Sequence, residues 1–262
     1  MNLRYRSTLL ALVAAFVAVC ASAPALAASQ TSKDKNNHDI GSRWVIANKR
    51  GQSKAFENGL KQLLAWRKSA GDPFVWEVYA PVVGDDLGFY VIRSGDHAWA
   101  DMDGENDWAV KHDAGARYRQ DVGPHAVREE HYFGQTVAKY SHWTDSDDYR
   151  YYAVTNYRFK PGTSDAVKDV LEKVHKAVTE QKWPYSYLVR YQIGGSGGMS
   201  IIEPMKSFAD MADPSPSLKE VLARSLGSKK AAGELFDKFA AAVEKHSFTV
   251  YVYRPDLSTP KK

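Results

Sequence analysis

The stretch Trp44-Val45-Ile46-Ala47-Asn48 resembles a second stretch that lies 108 residues later, Tyr152-Ala153-Val154-Thr155-Asn156. Both stretches combine aromatic and β-branched residues, a composition that is typical of strands. This similarity predicts that the chain of 262 residues carries an internal repeat and that each copy begins with a strand.

A helix follows the first strand in each copy. Apolar residues recur there at helical spacing. At an offset of 111, Phe56 corresponds to Val167, Leu60 to Leu171 and Leu63 to Val174. We expect Ser53 and Ser164 to be the N-caps, because a serine oxygen accepts a hydrogen bond from the free N–H groups of the first helical turn.

Hairpins and further helices complete each copy. The sequence predicts a hairpin of strands 74–79 and 88–93 around Gly84-Asp85-Asp86, and another of strands 185–192 and 199–203 around Gly194–Gly198. In the first copy we expect helices at 108–122 and 125–137 and a closing strand at 137–143. In the second we expect helices around 218–222 and 235–243 and a closing strand at 248–253. The order β-α-β-β-α-β in both copies predicts an α+β fold of two tandem ferredoxin-like units.

This element order, together with the repeat, resembles the dimeric α/β-barrel superfamily in its tandem, fused form. A four-stranded sheet with helices on one face leaves its other face bare. The resemblance implies that the two copies, residues 43–145 and 146–256, cover each other as one intramolecular barrel. The superfamily includes antibiotic-biosynthesis-type monooxygenases, stress-responsive barrel proteins, NIPSNAP-like proteins and the haem-binding chlorite dismutase group, so the fold does not select one function.

The first 27 residues have the features of a secretory signal peptide. Arg4 and Arg6 precede an apolar run over 9–19, and Ala25-Leu26-Ala27 is a small-x-small cleavage site. The apolar run is too short to span a bilayer comfortably, so we expect cleavage and a periplasmic or secreted protein. We expect residues 28–42 to be a disordered polar leader and 257–262 to be a frayed tail.

Composition and charge exclude several classes of partner. The chain is 44% hydrophobic and 25% charged, as globular domains are. Cleavage would remove Arg4 and Arg6 and lower the formal net charge from +4 to +2, which is too small to indicate a nucleic-acid or anionic-membrane partner. It would also remove Cys20, the only cysteine, and with it any disulfide or thiolate chemistry. We expect no membrane span after cleavage, and a homo-oligomer stays open.

Three motif-like stretches are interpreted as structural. Gly194-Gly195-Ser196-Gly197-Gly198 matches G-x-S-x-G, but a predicted strand follows it where a nucleophile elbow needs a helix. The acidic stretch 96–107 lacks the glycine spacing of a calcium loop and is interpreted as a solvated loop. His125 and Glu129 share a predicted helix face without the HExxH pattern, which favours an exposed charged helix. We therefore predict no metal site.

His175 is the first candidate for a functional residue. It takes the place of Leu64 at offset 111 and lies beside the apolar stripe of its helix, so it is either a core residue or a polar group in a pocket between helix and sheet. Tyr187, Arg190 and Tyr191 on the next strand are the candidate partners, although alternation sends Arg190 to the face opposite the two tyrosines. The resemblance to chlorite dismutase-like proteins makes His175 a candidate haem ligand and Arg190 the candidate arginine beside it.

Three functions stay open at this level. The first is an exported barrel protein that binds a small apolar or aromatic ligand, since tyrosines and tryptophan crowd the second copy. The second is a cofactor-independent monooxygenase-like enzyme with a pocket of histidine, tyrosine and arginine. The third is a haem-binding protein that uses His175. No cofactor is expected unless the third reading holds.

Overall fold

Antiparallel strands close into one barrel in the computed structural model, which describes residues 37–85, 87–143 and 149–259. The fold is α+β, and the barrel contains eight strands within those residues. The strands are β1 (Ile40–Asn48), β2 (Glu77–Val83), β3 (Phe89–His97), β4 (Ala126–Thr136), β5 (Tyr151–Phe159), β6 (Leu188–Ile193), β7 (Gly198–Met205) and β8 (Val243–Tyr253). The helices are α1 (Ser53–Ser69), α2 (Trp99–Lys111), α3 (Ala114–Asp121), α4 (Ser164–Glu180), α5 (Leu218–Ser225) and α6 (Lys229–Ala242).

The order of strands around the barrel is β1-β3-β2-β8-β5-β7-β6-β4. The strands before Trp143 and those after Tyr149 therefore form two contiguous sets of four. The sets join at two seams, where Ala80 of β2 is paired with Val252 of β8 and Gln135 of β4 with Tyr191 of β6.

Side chains alternate between the barrel lumen and an outer layer of helices. On β1, Arg43 and Val45 line the lumen, while Ile46 packs outward against Phe56 and Leu60 of α1. On β6, Val189 likewise packs outward in a core that α4, α5 and α6 share. The apolar core thus lies between helices and sheet, which leaves the lumen free to carry polar groups.

Much of the predicted element order is confirmed. Both long helices and both hairpins are present, and the glycine-rich turn has positive φ at Gly194, Gly195, Gly197 and Gly198. The N-caps are one residue earlier than expected, at Gln52 and Thr163, so Ser53 and Ser164 are the first residues inside their helices.

The closing elements of the first half differ from the prediction. Residues 126–136 form β4 where a helix over 125–137 was expected, and the strand expected at 137–143 is absent from the described residues there, except for a single bridge from His142 to Tyr187. Thus His125 and Glu129 do not share a helix face. β4 is hydrogen-bonded to β1 along its length and to β6 over residues 133–136, and this pairing outweighs the helical propensity of its charged residues.

The acidic stretch is also not a loop. Asp101, Asp103, Glu105 and Asp107 lie on α2, which begins at Trp99. The carboxylate of Asp101 accepts a hydrogen bond of 2.8 Å from the Ala98 N–H and so stabilises the start of the helix.

The boundaries of the folded part are wider than expected. Ile40 is 1% exposed within β1, although it belongs to the expected leader. Leu257, Ser258 and Thr259, in the expected tail, are buried. The predicted signal peptide lies outside the described residues. Among those described, no helix is long and apolar enough to cross a bilayer.

Candidate functional site

Three arginines project into the barrel lumen: Arg43 from β1, Arg93 from β3 and Arg190 from β6. Each occupies an inward position in the alternation of its strand, and the flanking residues on β3 and β6, Ile92 and Val189, are in the outer cores. The local sequence therefore fixes the direction of these side chains through the burial of their apolar neighbours.

The main cavity of the lumen has a volume of about 330 Å³. All three arginines line it. Apolar and aromatic side chains make up much of the remaining wall, among them Tyr79, Tyr152, Val154, Leu188, Ile202 and Tyr251. Cavities of this size with apolar walls and a few polar groups are typical of small-molecule sites.

Arg93 has an internal counter-charge. Its Nη1 donates to Oε2 of Glu77 at 2.8 Å, and the Tyr79 hydroxyl donates to the same oxygen at 3.0 Å. Both the arginine and the glutamate are about three-quarters buried. This pair is satisfied within the protein, although the Nε of Arg93 is buried without a partner.

Although the exposed Asp96 also lines the cavity, Arg190 has no described counter-charge within ion-pair distance. Its Nε is buried without a hydrogen-bond partner, and no described carboxylate forms an ion pair with it. Burial, together with the neighbouring charges of Arg93 and Arg43, lowers the pKa of Arg190 to about 9. A Cβ at Gly134 of β4 would lie 2.6 Å from Cδ of Arg190, so this glycine leaves the space that the arginine stem occupies.

Arg43 links the main cavity to a second one. Its Nη2 donates to Oε1 of Gln192 at 2.7 Å, and its guanidinium lies over the Tyr132 ring at 5.4 Å. Burial lowers the pKa of Arg43. The second cavity, of about 290 Å³, extends past Arg43 towards the glycine-rich hairpin and includes Arg158 and His246 in its lining.

The phenols of the main cavity are poor acids. Tyr79 and Tyr152 pack edge to face with their ring centroids 5.2 Å apart. Burial raises the pKa of both hydroxyls above the ordinary tyrosine value. Near neutral pH these groups are therefore protonated hydrogen-bond donors and not bases.

The residues predicted from the sequence are divided between the two faces of the sheet. Tyr187 and Tyr191 face α4 and its core, whereas Arg190 faces the lumen. His175 is half-buried on α4, and both its Nδ1 and the Tyr187 hydroxyl are buried without partners. The structure does not bring Arg190 together with the other three.

A haem group does not fit beside His175. The space between α4 and the sheet is filled by side chains that are at most 4% exposed: Val167, Leu171, Val178, Val189 and Met199. A histidine that ligates a metal also usually donates its second ring N–H to an oxygen acceptor, and Nδ1 of His175 has no partner. The packing of this region leaves neither a slot for a macrocycle nor a partner that would orient the ligand.

Sequence reasoning missed Arg43 and Arg93. The available signal was a glycine inside a strand, which often marks close approach by another group. Gly95 is such a residue in the structure, where a Cβ would lie 2.3 Å from Nη2 of Arg93, but it follows the end of the strand predicted over 88–93. Gly134 likewise leaves space for the side chain of Arg190, but it lies on β4, which was not predicted to be a strand.

Comparison with solved structures supports the fold. The neighbours are dimeric α/β-barrel proteins. A variant of chlorite dismutase from Candidatus Nitrospira defluvii matches with a TM-score of 0.50 and 9% sequence identity, covering 84% of this chain and 92% of that chain. An anthrone oxidase-like protein matches with a TM-score of 0.49 and 11% identity, covering 86% of this chain and 95% of that one. No family model and no curated protein matches the sequence.

Proposed function

We propose that this protein binds a small organic anion with an apolar or aromatic body in the lumen of its barrel. The proposal depends on Arg190, whose Nε is buried without an acceptor at the wall of a cavity of about 330 Å³. An isolated buried charge is costly, and a carboxylate accepts two parallel hydrogen bonds from a guanidinium. A carboxylate group on the ligand would therefore give Arg190 the negative charge and the hydrogen-bond acceptors that the described residues do not provide.

The cavity wall supports an apolar or aromatic body for this ligand. Val154 and Ile202 give aliphatic surface, and Tyr79, Tyr152 and Tyr251 give ring surface. Glu77 does not neutralise Arg190, since it accepts hydrogen bonds from Arg93 and Tyr79. Charge recognition and apolar contact are thus supplied by different parts of the wall.

Calorimetric titration with benzoate and with its neutral isostere benzamide tests this proposal. We expect benzoate to bind and benzamide to bind at least about tenfold more weakly, because only the carboxylate pairs with Arg190. Arg190→Met should abolish the preference for benzoate. Arg119→Met, which removes an exposed arginine of α3, is the matched control and should retain it.

Two results would count against the proposal. Equal affinity for acid and amide would show that the cavity recognises apolar shape alone. Unchanged benzoate affinity in Arg190→Met would place the anion elsewhere. If benzoate does not bind, longer carboxylates such as 2-naphthoate test the same charge with more apolar surface, and failure of both acids would overturn the proposal.

The monooxygenase-like alternative has less support. It requires a histidine, a tyrosine and an arginine in one pocket, and the predicted histidine, His175, lies on α4, outside the lumen. The second cavity does contain His246 together with Arg158 and Tyr157, but it does not include Arg190. The protonated phenols of Tyr79 and Tyr152 do not supply a base in its place. Binding is therefore the function that the geometry favours.

We also propose that the two sets of strands are copies of one ferredoxin-like unit. Their orders, β4-β1-β3-β2 and β8-β5-β7-β6, correspond position by position, and α1 and α4 both contain 17 residues. An experimental structure in which the copies superpose strand for strand is the expected result. Different strand orders in the two halves would contradict it.

Export stays a proposal that rests on the sequence of residues 1–27. Intact-mass spectrometry of the protein recovered from the periplasm of an expressing bacterium should give an N-terminus at or close to Ala28. A mature form that retains residues 9–19 would contradict the periplasmic assignment.

A further inference from the structure

A small void lies beside the main cavity and is bordered by the same three arginines. Its volume is about 10 Å³, roughly the space that one water molecule or one monatomic ion needs. None of its nine lining residues is acidic, whereas Arg43, Arg93 and Arg190 all contribute to it. The void is therefore a concentration of positive charge without a counter-charge of its own.

Hydrogen-bond donors exceed acceptors around this void. The Nε atoms of Arg93 and Arg190 are both buried and unpaired. The polar side chains around the void already have partners: Gln192 accepts from Arg43, the Ser42 hydroxyl pairs with His131, and the Ser200 hydroxyl donates to Asn156. A water molecule would bring two donors of its own into this set, while a monatomic anion accepts from every direction and brings none.

We propose that the void is a binding site for a monatomic anion, chloride under ordinary conditions, held between Arg93 and Arg190. The size of the void excludes sulfate or a carboxylate ligand with its body attached. Gly134 is a positioning residue for this site, because any side chain there would displace the stem of Arg190. Chloride would stabilise the protein in the absence of an organic ligand by compensating the buried charges.

The chloride site differs in size and occupant from the organic-anion site of the main cavity. It is measured without any anion that carries an apolar or aromatic body, because gluconate, the replacement anion in the test, is fully hydroxylated. Either proposal can therefore fail while the other holds. Chloride binding with no response to benzoate would leave the main cavity without its proposed ligand. If benzoate binds but chloride does not change the melting temperature, the void holds water and not chloride.

Thermal unfolding at constant ionic strength tests the proposal. Sodium chloride is exchanged stepwise for sodium gluconate, whose anion is too large for the void. We expect the melting temperature to rise with chloride and to saturate, as binding to a single site requires, and sodium bromide to act in the same way. General screening of charge would neither saturate nor distinguish the anions.

Variants and diffraction complete the test. Arg190→Met should lose the chloride response, and the control Arg119→Met, with the same change in charge, should keep it. Crystals grown in bromide should show an anomalous peak between the guanidinium groups of Arg93 and Arg190. Identical melting in chloride and gluconate, an unchanged response in Arg190→Met, or the absence of that peak would each overturn the proposal.

Discussion

Arg190 destabilises the unliganded protein, because its guanidinium is buried without the acceptors that water supplied in the unfolded chain. We therefore predict that Arg190→Met raises the free energy of unfolding, measured by urea denaturation at pH 7 without small anions. Replacement of buried ionic groups by apolar ones of similar size has been worth about 1–4 kcal/mol elsewhere, and methionine fits irregular space well. Arg93→Met is the contrasting control and should destabilise, since it leaves Glu77 without its guanidinium partner.

The gain from Arg190→Met should depend on pH. The pKa of Arg190 in the folded protein is about 9, below its ordinary value, so its burial penalty is fully present below pH 9 and declines as the pH rises above it. The difference in unfolding free energy between wild type and variant should thus be constant from pH 6 to 8 and smaller at pH 10. A difference that stays constant up to pH 10 would show that the pKa of Arg190 is not lowered in the folded protein.

His175 gives a second prediction at this scale. His175→Leu should stabilise the protein modestly, because it removes a buried Nδ1 that has no partner and restores the residue type of the equivalent position, Leu64. Benzoate binding should be unchanged, since α4 packs on the outer face of the sheet. Loss of benzoate binding in a folded His175→Leu protein would show that the ligand binds on the face of the sheet that α4 covers, and not in the lumen.

The sequence predicted Arg190 as a candidate but could not predict its setting. Alternation correctly separated it from Tyr187 and Tyr191, because side-chain direction in a strand is a local property. Its approach to Arg93 arises only when β6 and β3 come to face each other across a closed barrel, which no local pattern encodes. Charged residues are usually exposed, so no local feature marked Arg43 and Arg93 as residues of an internal site.

At the level of elements, the long helices α1 and α4 were predicted more accurately than the helix α2 and the strand β4. The apolar positions of α4 repeat at helical spacing over 17 residues, and that pattern is strong enough to decide the structure. β4 instead carries Arg128, Glu129 and Glu130, which are paired with β1, and only its residues 133–136 are also paired with β6. Its strand conformation depends on hydrogen bonds to β1 and β6, which are distant in sequence, and so local propensity failed there.

The C-terminal segment supplies a prediction for β2. The hydroxyl of Ser258 accepts a hydrogen bond of 2.8 Å from the buried N–H of Val78 and donates one of 2.8 Å to the carbonyl of Arg254. Ser258→Ala leaves the Val78 N–H unpaired, so we expect a loss of about 1–3 kcal/mol in the free energy of unfolding. Chemical denaturation measures it, with Ser69→Ala, which removes an exposed hydroxyl, as the control. Equal stability of the two variants would mean that the tail of the chain does not secure β2.

For the whole molecule, closure of the barrel is the property on which the site depends. Arg43 and Arg93 belong to strands before Trp143 and Arg190 to a strand after Tyr149, so the arginine cluster exists only when both seams are formed. The repeat in the sequence predicted two similar halves and, through the resemblance, one barrel. It did not predict which edges pair, because seam contacts such as Gln135 with Tyr191 have no signature in either copy.

The last prediction follows from these seams. Produced separately, residues 37–143 would expose the backbone edges of β2 and β4, and residues 149–259 those of β6 and β8. Unpaired edges associate with other chains, so we expect neither half to be a folded monomer by light scattering coupled to gel filtration. Cleavage of the intact protein at a protease site inserted between Trp143 and Tyr149 should instead leave the halves bound one to one, with benzoate affinity retained. If the two halves are instead separate monomers that melt cooperatively, each sheet is stable without closure of the barrel. Folding of each half would then not depend on the two seams.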